Sequence, residues 1–290
     1  MSLLFLSFLS GCSVLEMAQT WQLDRLRILA AQAEPPEAQP GETVVLKSLT
    51  FIPEEQSIES VIWFGCLPTD ATSFGCTLDP ELMESFDDQP EDPEEQLVLF
   101  EQLQEAGFLG VEPDFPPTWT IPENALDGLE EEDKIEGASA FINITAIPSD
   151  SQSQEDIELA YRRMPVSLNP QPNQNPELTH FLINDIEYAE DEIFQAKAGE
   201  SYNIDIILSD DSVEDYPYIN LSGVEEIRTE EPYFTWYAEG GEFFQYFSLH
   251  PFSEVEWTAP AESHLGKIIV VARDRRGGMS WSWLQVEVTK

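Results

Sequence analysis

Trp119-Thr120-Ile121-Pro122 and Trp257-Thr258-Ala259-Pro260 are two copies of one short pattern, and a glycine follows each tryptophan nine residues on, at Gly128 and Gly266. A second tryptophan lies upstream of each copy in an apolar run, Val61-Ile62-Trp63-Phe64 and Phe234-Thr235-Trp236-Tyr237. Further upstream stand Pro40-Gly41-Glu42-Thr43-Val44 and Ala198-Gly199-Glu200-Ser201-Tyr202, each a turn signal opening an apolar stretch. The same signals in the same order, twice, mark an internal repeat of a unit of roughly a hundred residues. The apolar runs are short and rich in Val, Ile, Phe, Tyr and Trp, and 21 of the 290 residues are proline. That pattern predicts strands joined by turns. With a tryptophan on an early central strand of each unit, the expected fold is all-β: two immunoglobulin-like β-sandwich domains in tandem.

Taken in order, the first unit spans 23–168. The stretch Trp21-Gln22-Leu23-Asp24-Arg25-Leu26-Arg27-Ile28-Leu29-Ala30 alternates at period two, as a half-buried strand does, and Pro35-Pro36 ends it. Strands are expected at Thr43–Ile52, Ser60–Gly65, Ala138–Ile147 and Ile157–Leu168, with the loop 148–156 as an exposed tip. Between them lies an acidic insert, around 79–118. There Asp92-Pro93-Glu94-Glu95 supplies an N-cap, a proline at the first helical position and acids that suit the helix dipole. Leu97, Leu99, Phe100, Leu103 and Ala106 give an apolar stripe and Gly107 a stop, so a helix is expected over 93–106. The run Asn169-Pro170-Gln171-Pro172-Asn173-Gln174-Asn175-Pro176 has no apolar residue beyond proline, which makes 169–176 an extended, semi-stiff linker. The second unit, 177–290, has strands at Leu178–Ile183, Tyr202–Leu208, Tyr233–Tyr237, Glu242–Leu249, Glu254–Trp257, Lys267–Arg273 and Met279–Val288. Asp274-Arg275-Arg276-Gly277-Gly278 joins the last two as a hairpin whose glycines can take φ > 0. Trp281, Trp283 or Leu284, Val286 and Val288 are expected on the buried face of the last strand.

At the start of the chain, Leu3-Leu4-Phe5-Leu6-Ser7-Phe8-Leu9 is apolar but well short of the about 20 residues that span a bilayer. It leads into Leu9-Ser10-Gly11-Cys12, which looks like the lipobox of bacterial lipoproteins, although no Lys or Arg precedes Leu3 as that pattern has it. The resemblance implies a signal peptide over 1–11, and at Cys12 a diacylglycerol thioether with an acylated, palmitate-type amine. Residues 12–22 then form a lipidated tether, of which 13–22 reach at most about 35 Å. Several acyl chains, at about 0.8 kcal/mol per buried CH₂, make a stable anchor. Ser13 in place of Asp after the cysteine resembles an outer-membrane address. The two remaining cysteines, Cys66 and Cys76, flank a turn-rich loop, and in an oxidising compartment they fit a structural disulfide worth about 3 kcal/mol in chain-entropy terms. No further Cys pair and no His lies near them in sequence, which disfavours a zinc or redox role.

Formal net charge is −43, from 56 acidic and 13 basic residues. Phosphate binding needs clustered Lys and Arg, so nucleic acid is not an expected partner. Between Lys47 and Lys134 stand 23 acidic residues and no basic one. The sequence contains no H-E-x-x-H, G-x-S-x-G, P-loop or G-x-G-x-x-G motif. Carboxylates are too abundant for any pair to stand out as a glycosidase acid and base. No catalytic residue and no cofactor is therefore expected. Asp210, Asp211, Glu214 and Asp215 are the best calcium ligands on offer, but their spacing is not that of an EF-hand loop, and a solvated loop is the plainer reading. His180, His250 and His264 are scattered. Arg273, Arg275 and Arg276 gather three of the thirteen basic residues at one hairpin, where pairing with local acids is expected over a basic patch.

The lipobox, the segment Asp24–Ala30 followed by Glu34-Pro35-Pro36-Glu37 and Pro40-Gly41-Glu42, Trp63 near Cys66, and the ending Arg273-Asp274-x-Arg276-Gly277-Gly278-x-Ser280-Trp281 resemble a group of poorly characterised bacterial lipoproteins with immunoglobulin-like domains. The resemblance covers nearly the whole chain after Cys12 apart from the helical insert. It implies fold and location, in the cell envelope, and brings no catalytic residue. Three functions are then open. A non-catalytic structural, adhesive or protein-interaction module fits best, with the membrane as partner through Cys12 and an envelope or surface protein beyond it. A ligand- or glycan-binding lipoprotein comes next, using rings such as Tyr233, Tyr237, Phe244 and Tyr246. A hydrolase is the most distant.

A net charge of −43 makes the folded chain repel itself at low ionic strength. The Debye length falls from about 30 Å at 0.01 M salt to about 3 Å at 1 M. The melting temperature should therefore climb as NaCl is added, and CaCl₂ of equal ionic strength should add nothing beyond it. A calcium-specific excess removed by Asp210→Ala with Asp211→Ala would overturn this and make that loop a metal site.

Overall fold

The computed structural model describes residues 19–67, 71–72, 75–76, 92–153, 156–190, 192–219 and 222–290. The expected signal peptide over 1–11, Cys12 with its lipid, most of the tether and part of the acidic insert lie outside the described residues. The first unit runs β1 (Arg27–Glu34), β2 (Thr43–Phe51), β3 (Ile58–Cys66), β4 (Ala71–Thr72), β5 (Gly75–Cys76), α1 (Pro93–Glu105), β6 (Phe108–Glu112), β7 (Thr118–Thr120), β8 (Ala138–Pro148) and β9 (Glu158–Val166). The second runs β10 (Leu178–Ile183), β11 (Ile186–Tyr188), β12 (Ile193–Lys197), β13 (Ser201–Leu208), β14 (Asp215–Ile219) and β15 (Glu225–Thr229). It continues with β16 (Tyr233–Ala238), β17 (Glu242–Phe243), β18 (Phe247–Leu249), β19 (Val255–Thr258), β20 (His264–Arg273) and β21 (Met279–Thr289).

The repeated stretch is the seam of each sandwich. Val44 pairs with Trp119 and Thr43 with Thr120 across β2 and β7; Tyr202 pairs with Trp257 and Ser201 with Thr258 across β13 and β19. The hydroxyls of Thr43 and Thr120 lie 2.7 Å apart, and those of Ser201 and Thr258 lie 2.8 Å apart. Gly41 and Gly199 take φ of +82° and +71°, conformations open to glycine, and their amides donate to the carbonyls of Ile121 and Pro260. Gly-Glu and Trp-Thr-x-Pro thus recur together because they face each other across two strands. The glycines nine residues on are not equivalent: Gly128 sits in a turn and Gly266 inside β20. The connection from the seam to the next long strand is simply longer in the first unit.

In the first unit the sheet β1-β2-β7 faces β6-β3-β8-β9, and in the second β11-β10-β13-β19-β17 faces β12-β21-β20-β16-β18. Each pair of sheets shares one apolar core, the first around Leu46, Trp63, Trp119, Ile142 and Met164, the second around Phe181, Ile204, Trp236, Trp257 and Val270. β12 lies parallel to β21, and Ala38 makes the matching parallel bridge to Val166 on β9. That strand order, with Trp63 and Trp236 fully buried on the corresponding strand of each unit, is the immunoglobulin-like sandwich the repeat predicted.

The acidic insert leaves the first sandwich between β3 and β6. Asp92 caps α1 by accepting the Glu94 amide at 2.9 Å, Pro93 opens it, and Gly107 follows it at φ +94°. Leu99, Phe100 and Leu103 pack on Ile62, Phe64 and Phe108, the outer face of the β3–β6 sheet. Leu97, expected in the same stripe, is 59% exposed. At about 100° per residue it lies roughly 120° round the helix from Leu103, off the narrow strip that touches the sheet.

Two strand expectations need correction. Glu242–Leu249 is not one strand: β17 pairs with β19 and β18 with β16, so the chain crosses between sheets at Phe244–Tyr246. The strand expected from Trp21 begins at Arg27, because residues 21–23 serve the other unit. Trp21 is 7% exposed in the second core, edge-on to Phe243 at 5.7 Å. Its carbonyl accepts the Ala238 amide at 3.1 Å, and the Leu23 amide donates to the Ala238 carbonyl at 3.0 Å. Leu23 then joins Leu29, Ala30, Tyr237, Ile269 and Val271 in an apolar cluster between the units, with Leu49, Phe51, Trp281 and Trp283 packed against it. The last strand is thus two-faced, with Leu284, Val286 and Val288 turned into the second core and the two tryptophans toward the first unit.

Trp21 completes a core whose other residues lie far along the chain. Trp21→Ala should lower the stability of the full chain by about 3 kcal/mol, in the range for a large buried ring. Urea unfolding followed by tryptophan fluorescence and circular dichroism would read it; an unchanged midpoint would show that the ring is dispensable.

Candidate functional site

The residues that carry charge inside this molecule meet at the β20–β21 hairpin. Its first residue, Asp274, is buried, and its Oδ1 accepts the amides of Arg276, Gly277 and Gly278 at 2.7, 3.0 and 2.9 Å. A Cβ at Gly278 would collide with Asp274 Oδ2, so the turn closes on the carboxylate only with glycine there. Oδ2 accepts Asn173 Nδ2 at 2.7 Å. Asn173, in the stretch expected to be an unanchored spacer, is itself fully buried and donates its amide to Glu37 at 2.7 Å. Asn175 donates to the Ala33 carbonyl and the Glu34 carboxylate and accepts the Met279 amide. Polar side chains therefore hold 169–176 where an apolar anchor is missing.

Arg276 reaches Glu230 at 2.8 Å, Glu214 at 3.1 Å and Glu37 at 3.8 Å. Three carboxylates thus surround one guanidinium, and Asp274 holds the backbone amide of the same residue, so the expected pairing with acids is present, but the partners come from distant parts of the chain. Burial, with the charge of Asp274 adding to it, pushes the Glu230 carboxyl up to about 7, and burial raises Asp274. The calcium candidates are dispersed: Glu214 faces Arg276, Asp215 accepts the Thr229 hydroxyl, and Asp210 and Asp211 begin a short 3₁₀ turn. Among the described residues no three His, Cys, Asp or Glu side chains group as a metal site. Cys66 and Cys76 form the expected disulfide.

On the other side of the hairpin a cleft of about 520 Å³ opens between the units, bounded by Ile28–Ala31 of β1, Ala160–Arg163 of β9, Tyr233, Arg273 and Arg275–Met279. Arg162, Arg163, Arg273, Arg275 and Arg276 all line it, five of the thirteen basic residues. Arg162 is 7% exposed and donates to the carbonyls of Ala31, in the first unit, and Gly277, in the second. Burial brings its guanidinium down to about 10, with Asp274 opposing the shift. Arg273 donates to the Leu29 carbonyl and the Thr235 hydroxyl, and both Arg273 and Arg275 approach the Tyr233 ring at 5.8 Å. Arg275 meets Glu231 at 3.8 Å; among the described residues Arg162, Arg163 and Arg273 form no ion pair. Sequence reasoning found the hairpin arginines and missed Arg162 and Arg163. Two adjacent arginines on a strand of so acidic a chain were the available signal.

The rings proposed for ligand stacking fall apart. Tyr237 is buried between the units, and Tyr233 is half-buried under two guanidinium groups. Phe244 and Tyr246 instead belong to an exposed apolar strip along β18, the last strand of its sheet. Phe244 is 88% and Phe252 81% exposed, with Phe247 and Leu249 on the strand between them also open to solvent. Glu242, Glu254 and Glu256 stand exposed around the strip.

The Glu230 shift fixes a sign. Its folded-state value, about 7, lies above the ordinary 4.5, so the folded chain binds this proton more tightly than the unfolded chain. The stabilisation is complete below 4.5 and is lost as pH rises through about 7. Glu230→Gln should raise the melting temperature at pH 8 and flatten its rise between pH 7 and 4.5 relative to the parent chain, since general charge repulsion changes alike in both. Parallel melting curves for the two proteins across that window would contradict the assignment.

No protein-family model matches the chain, and no curated protein sequence matches it. Among solved structures it is similar at 10% identity to fibronectin(III)-like modules of Clostridium thermocellum CbhA, covering 90% of this chain and 94% of that one with a TM-score of 0.27. It is similar at 11% identity to the tandem V-type regions of VCBP3, a v-region-containing chitin binding protein, covering 91% and 100% with a TM-score of 0.29. It is similar at 11% identity to murine CEACAM1b, covering 91% and 100% with a TM-score of 0.23. Likenesses this loose carry no argument about function.

Proposed function

We propose that this chain is a non-catalytic interaction module of the bacterial cell envelope, tethered to the outer membrane by a lipid on Cys12, that binds a partner protein along the β18 edge. The observation that carries the reading is the strip Phe244, Phe247, Leu249 and Phe252, four large apolar side chains open to solvent beside an edge strand. Exposed apolar groups gathered in one strip cost solubility and mark contact surfaces. The Phe247 and Leu249 carbonyls already accept the Gln245 side chain and the Phe252 amide, so a partner would cover the rings rather than extend the sheet. The acidic rim of Glu242, Glu254 and Glu256, on a chain of net charge −43, selects a segment whose apolar residues are flanked by Lys or Arg. The tether rests on the lipobox resemblance at Leu9–Cys12.

Two substitutions test the two halves. Cys12→Ser should move the protein from the membrane to the soluble fraction, and retention in the membrane would sink the anchor. Phe244→Ser with Phe252→Ser removes two rings that the core does not use, so the fold should survive by circular dichroism. In capture from solubilised envelope, the parent chain should retain a basic-flanked partner and the double variant should hold it about tenfold more weakly, the loss of one modest contact. Equal capture by both would discard the edge.

A further inference from the structure

We infer that the cleft between the two units is a binding site for a small organic carboxylate, whose charge completes the arginine wall around Arg162. The hairpin divides two environments of opposite imbalance. On one side Arg276 has three glutamates within 4.0 Å and Asp274 at its back. On the other, Arg162, Arg163 and Arg273 form no ion pair among the described residues. A chain with 56 carboxylates does not lack acids to place there. Arg162 is more than nine-tenths buried, its partners are the neutral carbonyls of Ala31 and Gly277, and its Nε has no hydrogen-bond partner. Carbonyls orient a guanidinium without neutralising it, and Asp274, whose charge acts on Arg162, makes no ion pair with it, so this buried cation calls for a closer counter-charge. The same residue lines an open cleft, where that charge can arrive from solution.

The volume, about 520 Å³, suits a small molecule. A polyanion is disfavoured by the net charge of −43, whereas a single carboxylate matches the arginine fork. Ile28, Ala30, Met279 and Tyr233 give the rest of the wall apolar atoms for the body of such a ligand. This site is separate from the β18 strip, and either can fail without the other.

Calorimetric titration of the full chain with galacturonate and with benzoate is the test, against galactose, benzyl alcohol, acetate and inorganic phosphate. At least one of the two carboxylates should bind saturably and raise the melting temperature. Its neutral counterpart should not bind, and acetate and phosphate should bind at least about tenfold more weakly because they lack the body. Arg275→Gln and Arg163→Gln, at exposed positions, should melt like the parent and bind about tenfold more weakly, as for one lost charge-assisted bond. Arg162→Gln should abolish binding; should it unfold, the two exposed variants decide. Phe244→Ser with Phe252→Ser should bind as the parent does. Absence of saturable binding by both carboxylates, unchanged affinity in the Arg163 and Arg275 variants, or phosphate binding as tightly as either carboxylate would each overturn the proposal.

Discussion

One buried carboxylate, that of Asp274, sets the geometry on which the junction depends. Three consecutive backbone amides converge on its Oδ1 and Asn173 on its Oδ2. Without an acceptor there, two buried and two half-buried donors would be orphaned, the buried ones at about 1–3 kcal/mol each. The turn so formed aims the Gly277 carbonyl at Arg162 and the Arg276 guanidinium at Glu37, Glu214 and Glu230. Through Asn173 and Glu37 the same carboxylate reaches Ser167 at the end of the first unit. Apolar contact between the units supplies area, and this network supplies register.

The cluster also qualifies the formal charge. Counting every carboxylate as ionised gives −43, but a Glu230 carboxyl at about 7 is near half-protonated in neutral solution. Three glutamates around one guanidinium are tolerable in part because the burial of Glu230 that makes its charge costly also lets it keep a proton. Charge, burial and protonation settle together there.

What was legible in the sequence was whatever depends on neighbours in the chain or on a repeated environment. The Gly-Glu and Trp-Thr-x-Pro pairs announced a seam because both units solve one packing problem with the same residues. Asp92, Pro93 and Gly107 announced a helix because capping is local. Trp21 was misplaced because period-two alternation says that a segment lies on a sheet and is silent about which sheet. The linker 169–176 gave no sign of Asn173 and Asn175, since a polar anchor looks like any polar loop until its distant partners are in view. For the candidate site, the hairpin arginines were visible as a cluster, whereas Arg162 acquires its meaning from Ala31 and Gly277, 131 and 115 residues away. Burial without an ion-pair partner is a property of space and cannot be seen in one dimension.

The docking of Trp21 against Phe243 sets an order of events for a chain made from its N-terminus. The ring is made early, and the core that receives it is completed only when β21 has been added. At roughly 5–20 residues per second that interval is on the order of ten to fifty seconds. Over that time the first sandwich can form all its strands while Trp21 waits outside it. Closing so long a loop adds little to the entropy of the contact, since that cost grows only logarithmically with length, but it places the contact late. The second core is therefore sealed last, by one of the first residues synthesised.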